Sequence, residues 1–190
     1  MQTILRGPST EVIIGPDEPI VMIGERINPT GRKAFSAELQ AGDLSRIPRD
    51  AVAQAEAGAM VLDVNVGAAS VDEVALLPQA VQLVQDTVDL PVCLDSPNPA
   101  ALAAALKVVK GRALINSVNG ERDKLAAVLP LAAEYGAAVI ALCMDDNGIP
   151  PTPEARLAVA ETILEQARTL GIPPEDVVFD PLVMAISADH

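Results

Sequence analysis

The feature that most constrains this chain is a unit that recurs along it. An Ala/Leu-rich stretch with helical spacing stops at a glycine, and a short β-branched run follows and ends on a polar residue. The glycine stops are Gly58, Gly111, Gly136 and Gly171, each where a helix C-cap would sit. Strands are predicted at Ile20–Glu25, Met60–Asn65, Leu90–Asp95, Ala113–Asn116, Ala137–Met144 and Val177–Asp180. Helix starts are legible too. Asn98-Pro99 and Thr152-Pro153 put a cap residue before a first-turn proline, and Ser70-Val-Asp-Glu73 reads as a capping box. Strands alternating with helices give an α/β fold with a parallel sheet, and unbroken apolar strands mean that both faces are covered.

Two architectures compete for this pattern. At 190 residues the chain is shorter than the ~250 of a typical βα barrel, which favours an open doubly wound sheet. Polar placement favours the barrel: Glu25, Asp63 with Asn65, Asp95, Asn116, Asp145 and Asp180 sit at the carboxyl ends of all six strands. An open sheet concentrates its site at one switch point, whereas a barrel draws every strand end into one mouth. Neither a G-x-G-x-x-G nor a G-x-x-x-x-G-K-[ST] loop occurs, so nucleotide binding has no local support. The expected fold is a (β/α)8 TIM barrel over residues 20–190, truncated after its sixth strand. Residues 1–19 are expected to form an N-terminal hairpin extension. Glu11–Ile14 and Ile20–Ile23 flank Gly-Pro-Asp-Glu-Pro, which predicts a β-hairpin plugging the amino end of the barrel.

Composition narrows the chemistry. With 26 acids against 13 bases the net charge is -13, which argues against a nucleic-acid or anionic-membrane partner. The chain has no Trp, one Tyr and two Phe, too few for base-stacking platforms. Its one histidine is His190, which excludes a mid-chain Ser/His/Asp triad, a Cys/His dyad and a His-ligated zinc site. Cys93 and Cys143 lie far apart in apolar runs and read as reduced, buried thiols of a cytoplasmic protein. Leu125–Met144 is nearly apolar, but Glu134, Tyr135 and Gly136 divide it into a buried helix and a buried strand.

The strand-end residues carry what chemistry remains. Asp145 and Asp146, followed by Asn-Gly-Ile-Pro-Pro, read as turn formers. Asp63, Asp95 and Asp180 each end a strongly apolar strand and would share the mouth with other carboxylates. Between residues 51 and 106 there are seven acids and no base, so the cluster awaits a hydrogen-bond-donating ligand or a metal. Asn65 and Asn116 are interleaved with the acids, which lowers the charge a cation would want, and no directly bound metal is expected. Mixed Asp and Asn suits a flat heterocycle. A 2-amino-4-oxo-pyrimidine edge offers two parallel N–H donors to one carboxylate, and carboxamides serve the rest of the ring.

Six segments occur in order: Gly24-Glu-Arg-Ile-Asn-Pro-Thr-Gly-Arg-Lys33, Leu62-Asp-Val-Asn-Val-Gly67, Cys93-Leu-Asp-Ser96, Ile115-Asn-Ser-Val-Asn-Gly-Glu121, Gly148-Ile-Pro150 and Phe179-Asp-Pro-Leu182. In this the chain resembles the pterin-binding methyltransferase family. That family includes methyltetrahydrofolate–corrinoid/iron-sulfur protein methyltransferase and the folate module of cobalamin-dependent methionine synthase. The resemblance spans about residues 11 to 190 and implies an eight-unit barrel of the dihydropteroate synthase-like type. Dihydropteroate synthase itself is the alternative. It typically has Asn-Val-Thr-Pro-Asp-Ser-Phe-like and Asp-Ile-Gly-Gly-Glu-Ser-like strand ends, where this chain has Glu25-Arg-Ile-Asn-Pro-Thr30 and Asp63-Val-Asn-Val-Gly67. Asn65-Val-Gly67 and Cys93-Leu-Asp-Ser96 look closer to the corrinoid-protein enzymes than to the methionine synthase module.

The resemblance implies roles for particular residues. Asp95, Asn116 and Asp180 match positions that hydrogen-bond the pterin ring, Asp63 and Asn65 match the second strand end, and Glu25 and Arg26 the first. Ser96 and Ser117 would stand behind ligand residues. Arg26, Arg32 and Lys33 would screen an anionic folate tail. The family's Asn near the methylated ring nitrogen has no counterpart up to His190. The implied reaction moves the methyl group of 5-methyltetrahydrofolate to the cobalt of a cobalamin or related corrinoid carried by a partner protein, with a homodimer expected for a full-length enzyme. A non-catalytic pterin-binding or corrinoid-docking module is a further alternative.

Overall fold

The computed structural model describes residues 1–183. Strands β1 (Thr3–Arg6) and β2 (Glu11–Ile14) form an antiparallel hairpin. β3 (Ile23–Ile27) then opens a parallel sheet and is followed by α1 (Lys33–Gln40) and α2 (Arg46–Glu56). The alternation continues through β4 (Val61–Val64), α3 (Glu73–Thr87), β5 (Val92–Asp95), α4 (Pro99–Leu106), β6 (Leu114–Asn119), α5 (Arg122–Tyr135), β7 (Ala138–Leu142) and α6 (Pro153–Thr169). One 3-10 turn, Pro174–Asp176, leads into β8 (Val177–Asp180).

The strand order, β3-β4-β5-β6-β7-β8, decides between the two architectures. Every strand pairs with its sequence neighbour, as in a barrel, whereas a doubly wound sheet reverses its order at a switch point. Among the described residues β3 and β8 each have one neighbour in the sheet.

Two apolar clusters follow from the two-residue period of the strands. Leu62, Val64, Leu94, Ile115, Val139 and Ala141 face outward and pack against Leu77, Val81, Leu102, Leu129 and Ile163 of the helices. The alternate residues Val61, Cys93, Leu114 and Ala138 face inward and meet Leu5 and Val12 of the hairpin. The hairpin thus closes the amino end of the sheet. Arg112 fastens it there. Its Nη1 donates to the Ile4 carbonyl at 2.8 Å, Nε donates to the Gly136 carbonyl at 2.6 Å, and its backbone bridges to Arg6; Nη2 pairs with Asp176.

Some expectations need correction. The hairpin joins 3–6 to 11–14 around Gly7–Thr10, not 11–14 to 20–23. Ile20 is instead almost fully exposed, and the first sheet strand begins at Ile23, so Glu25 lies within it rather than at its end. A residue's period-two pattern cannot choose its partner, and Leu5 wins because it brings a second apolar face to the floor. Gly111 is no helix stop, since α4 ends at Leu106. It turns at φ +110 where a Cβ would lie 2.2 Å from the Arg6 carbonyl oxygen, so only glycine lets the hairpin approach. Ser70 does not cap α3. Asp72 does, accepting from the Val74 and Ala75 amides at 3.0 and 3.2 Å. Asn98 and Thr152 cap α4 and α6 as expected.

Candidate functional site at the sheet's carboxyl end

The same inward face changes character two residues further along each strand. Val61 gives way to Asp63 and Asn65, Cys93 to Asp95, and Leu114 to Asn116. Cross-strand register sets their heights. Asp63 is level with Cys93, Asp95 is level with Asn116, and Asp180 is level with Leu142 and through it with Asn119. A slipped register in β6 between Asn116 and Val118, at Ser117, keeps Asn119 on the inner face.

Two carboxylate–carboxamide pairs form the centre. Asn65 Nδ2 donates to Asp95 Oδ2 at 2.8 Å, and Asn116 Nδ2 donates to Asp63 Oδ1 at 3.2 Å. Asn65 is itself oriented, because its Oδ1 accepts the Gly67 amide at 2.7 Å. Asp63 is 1% exposed, and its Oδ2 is buried without a hydrogen-bond partner. The neighbouring Cys93 thiol lies near enough to favour the carboxylate somewhat, but not in a geometry that satisfies Oδ2. Burial first, and the Asp95 charge second, push the Asp63 carboxyl up to about 7, with Glu25 adding to the rise. Burial also raises Asp95, opposed by the Asn65 hydrogen bond and aided by Glu25 and Glu73. Burial raises the Cys93 thiol well above its ordinary range, so it stays protonated and inert.

A cavity of about 210 Å³ opens beside these groups, lined by Asp95, Ser96, Pro97, Asn116, Ser117, Val118, Asn119 and Lys124. Ser96 is buried; its hydroxyl donates to Glu73 Oε2 at 2.5 Å and accepts the Asn98 amide at 3.1 Å. It therefore ties the start of α3 to the turn that carries Asp95.

The sequence-predicted residues thus divide. Asp63, Asn65, Asp95, Asn116, Ser96 and Ser117 come together, and Glu25 lies close enough to bias both acids. Asp180 is exposed, and its Oδ1 accepts the Leu182 amide at 2.7 Å; no hydrogen bond ties it to the central pairs. Arg32 is committed elsewhere: it pairs with Asp50 at 2.9 Å, donates to the Arg26 carbonyl and stacks 5.2 Å over the Phe35 ring. Arg26 and Lys33 are exposed. Asp145 is the turn former expected, with Oδ1 accepting the Asn147 amide at 2.8 Å. His190 lies outside the described residues. Sequence reasoning missed Glu73, read as part of a capping box, and Lys124, which stands three residues beyond the Ile115–Glu121 segment. A larger apolar groove of about 590 Å³ between α6 and β8 is lined by Leu157, Leu164 and Phe179 and contains none of the clustered polar groups.

A sequentially ordered parallel sheet, floored by a hairpin and ending in buried Asp–Asn pairs, has the architecture of a βα-barrel protein. The chain belongs to the pterin-binding enzyme family, whose model matches residues 24–189. It is 35% identical over 176 residues to the methylcorrinoid:tetrahydrofolate methyltransferase of Eubacterium limosum, covering 90% of this chain and 64% of that relative. It is 32% identical over 184 residues to the methionine synthase of Mycobacterium tuberculosis, covering 94% of this chain and 15% of that one. The chain therefore spans less than two thirds of either relative's length. Among solved structures it resembles the dihydropteroate synthase of Yersinia pestis, with a TM-score of 0.67 and 18% identity over 95% of this chain and 64% of that one, a likeness of fold. Among the described residues no helix is long and apolar enough to cross a membrane.

Proposed function

We propose that the protein transfers a methyl group between 5-methyltetrahydrofolate and the cobalt of a corrinoid carried by a partner protein. The observation that carries this reading is the set of buried Asp63–Asn116 and Asp95–Asn65 pairs, which gathers acceptors and donors at the carboxyl end of the sheet. Asp95 would take the parallel N–H donors of the pterin's amino-pyrimidine edge, since among the described residues only its Oδ2 is engaged. Asn116 and Asn65 would serve the remaining ring atoms, with Asp180 and Glu25 at the rim and Ser96 and Ser117 behind. Arg26 and Lys33 are exposed, make no ion pair among the described residues, and would meet anionic groups at the β3 side. A homodimer is part of this reading.

The chemistry asks little covalent work of the protein. A partner's corrinoid would supply the group that accepts or delivers the methyl, so no nucleophile of this chain is needed. The ring nitrogen that loses methyl is a poor leaving group unless it gains a proton or a strong hydrogen bond. The Asp63 carboxyl, pushed up to about 7 by burial, accepts from the Asn116 amide and so orients that carboxamide toward the site rather than meeting the ring itself. Positioning and preorganised dipoles supply the rest.

A relative at 35% identity named methylcorrinoid:tetrahydrofolate methyltransferase, with a second at 32% named methionine synthase, supports this reading over dihydropteroate synthesis, for which the support is a likeness of fold at 18% identity. The E. limosum relative's name gives transfer from methylcorrinoid to tetrahydrofolate, so both directions belong in the test. The protein mixed with methyltetrahydrofolate and reduced corrinoid should yield methylcobalamin by absorbance, and methylcobalamin with tetrahydrofolate should reverse it. Formation of dihydropteroate from a pterin pyrophosphate and p-aminobenzoate, without methylcobalamin, would overturn the assignment. Pterin binding without turnover would reduce the protein to a binding module.

A further inference from the structure

We propose that Lys124, at the rim of the strand-end cavity, is the subsite for the negatively charged tail of a folate-type ligand. The proposal rests on the folate reading above and names the part of the ligand that the Asp–Asn layer cannot hold.

The cavity begins at Asp95 and Asn116, passes Asn119 and ends at Lys124, in the first turn of α5. Its volume, about 210 Å³, is below the ~300–1,000 Å³ of a site that encloses a whole drug-sized ligand, so a longer molecule must continue past the rim. Lys124 is the one basic side chain lining it. Its Nζ donates to the Pro97 carbonyl at 3.2 Å, which holds the half-buried ammonium over the opening and leaves two of its three donors unused. Among the described residues no ion pair claims it. Among the described residues Asp123, adjacent in sequence, makes no ion pair with it, and Glu121 accepts instead from Asn119, whose Nδ2 donates to its Oε1 at 2.7 Å.

Charge explains why such a cation is needed. Asp63, Asp95, Glu25 and Glu73 surround the ring layer, and their mutual effect is visible in the raised Asp63 and Asp95 carboxyls. A ligand bearing its own carboxylates is repelled by this layer unless a cation meets them outside it. Arg32, a cation of the loop between β3 and α1, is spent on Asp50. Lys124 is the remaining group that shares a wall with the ring-binding residues.

The test compares three ligands by calorimetry: methyltetrahydrofolate, its triglutamate form, and a methylated tetrahydropterin with no tail. The protein should bind the two tailed ligands more tightly than the tail-less one. Lys124→Ala should weaken the tailed ligands roughly fivefold, the size expected of a half-exposed ion pair, and Lys124→Glu roughly tenfold or more. Neither should alter the tail-less ligand beyond about twofold, and Lys124→Arg should keep the preference. The preference should also shrink as salt is raised. Equal losses for all three ligands in Lys124→Glu, or a preference that survives it but vanishes in Arg26→Ala/Lys33→Ala, would overturn the proposal and leave the folate reading standing. Failure of the wild-type protein to bind any of the three would instead bring down the folate reading, and this proposal with it.

Discussion

The inner face of the sheet carries two layers of opposite character, separated by one period of each strand. At the floor, Val61, Cys93, Leu114 and Ala138 meet Leu5 and Val12 in a buried apolar cluster. At the mouth, Asp95 and Asn116 occupy the same face and bury polar atoms instead, with Asp63, in register with Cys93, at the boundary between the two layers. The floor gains free energy from every apolar contact, about 25 cal/mol per Å² removed from water. The mouth loses some, because a buried carboxylate retains only part of its hydration in the form of one or two carboxamide bonds. The difference teaches that the hairpin supplies stability so that the layer above it can remain under-satisfied, with Asp63 Oδ2 the atom that shows it.

Placing the mouth's chemistry in the floor should have the largest effect. Leu5→Asp puts a carboxylate among side chains that offer it no donor, at a cost of several kcal/mol against a typical total of about 5–15 kcal/mol. The cooperative unfolding transition should be lost, by circular dichroism in urea. A variant with near-normal stability would mean that the hairpin does not floor the sheet.

At the mouth, Asp95→Ala should leave the fold intact and weaken methyltetrahydrofolate binding by roughly 2–5 kcal/mol, as when one partner of a buried charge-assisted pair is removed. Calorimetry on both proteins checks it; equal affinities would detach Asp95 from the ligand.

Acidity separates the layers more finely. The Asp63 carboxyl titrates at 3.8 in an ordinary setting and at about 7 in the fold, so between these values the folded form binds the extra proton. Stability is therefore full below about 3.8, falls as pH rises towards 7 and is flat above, with a drop of at most about 4 kcal/mol. The raised Asp95 carboxyl adds in the same direction. Asp63→Asn should remove most of this slope and raise stability at pH 8, measured by urea midpoints from pH 4 to 8. An unchanged slope would place the titration elsewhere.

The smallest effect should come from the edge of the mouth. Asp72→Ala removes the cap of α3, worth about 1 kcal/mol, without touching the central pairs. Ligand affinity should hold while the urea midpoint falls slightly. A large loss of affinity would mean that the start of α3, through Glu73 and Ser96, fixes Asp95 more strongly than the floor does.

Much of this was legible in the sequence. The β8 segment Val177–Asp180 was bounded correctly, and the Asn98 and Thr152 caps stand where proline at the next position announced them. The central acids and carboxamides were found because each ends an apolar run, a signal local to its own strand. Glu73 and Lys124 were not singled out, because each sits on a helix and approaches the clustered strand-end residues only through a neighbouring loop: Glu73 through Ser96, Lys124 over Pro97. Arg32 looked like a ligand residue because sequence places it beside Arg26 and Lys33, while Asp50 and Phe35, which claim it, lie further along the chain.

The sequence by itself determined the alternation of strand and helix, and the two-residue step from apolar to polar on each strand, since both follow from local periodicity and side-chain transfer energies. Only the tertiary structure decided which strands form the hairpin, that Gly111 yields to the Arg6 carbonyl rather than ending a helix, and how high each polar residue stands. Register, the vertical offset between neighbouring strands, makes Asp95 level with Asn116 but sets Asp180 level with Asn119. No single strand contains that information, because it is fixed by hydrogen bonds and packing between segments far apart in the chain.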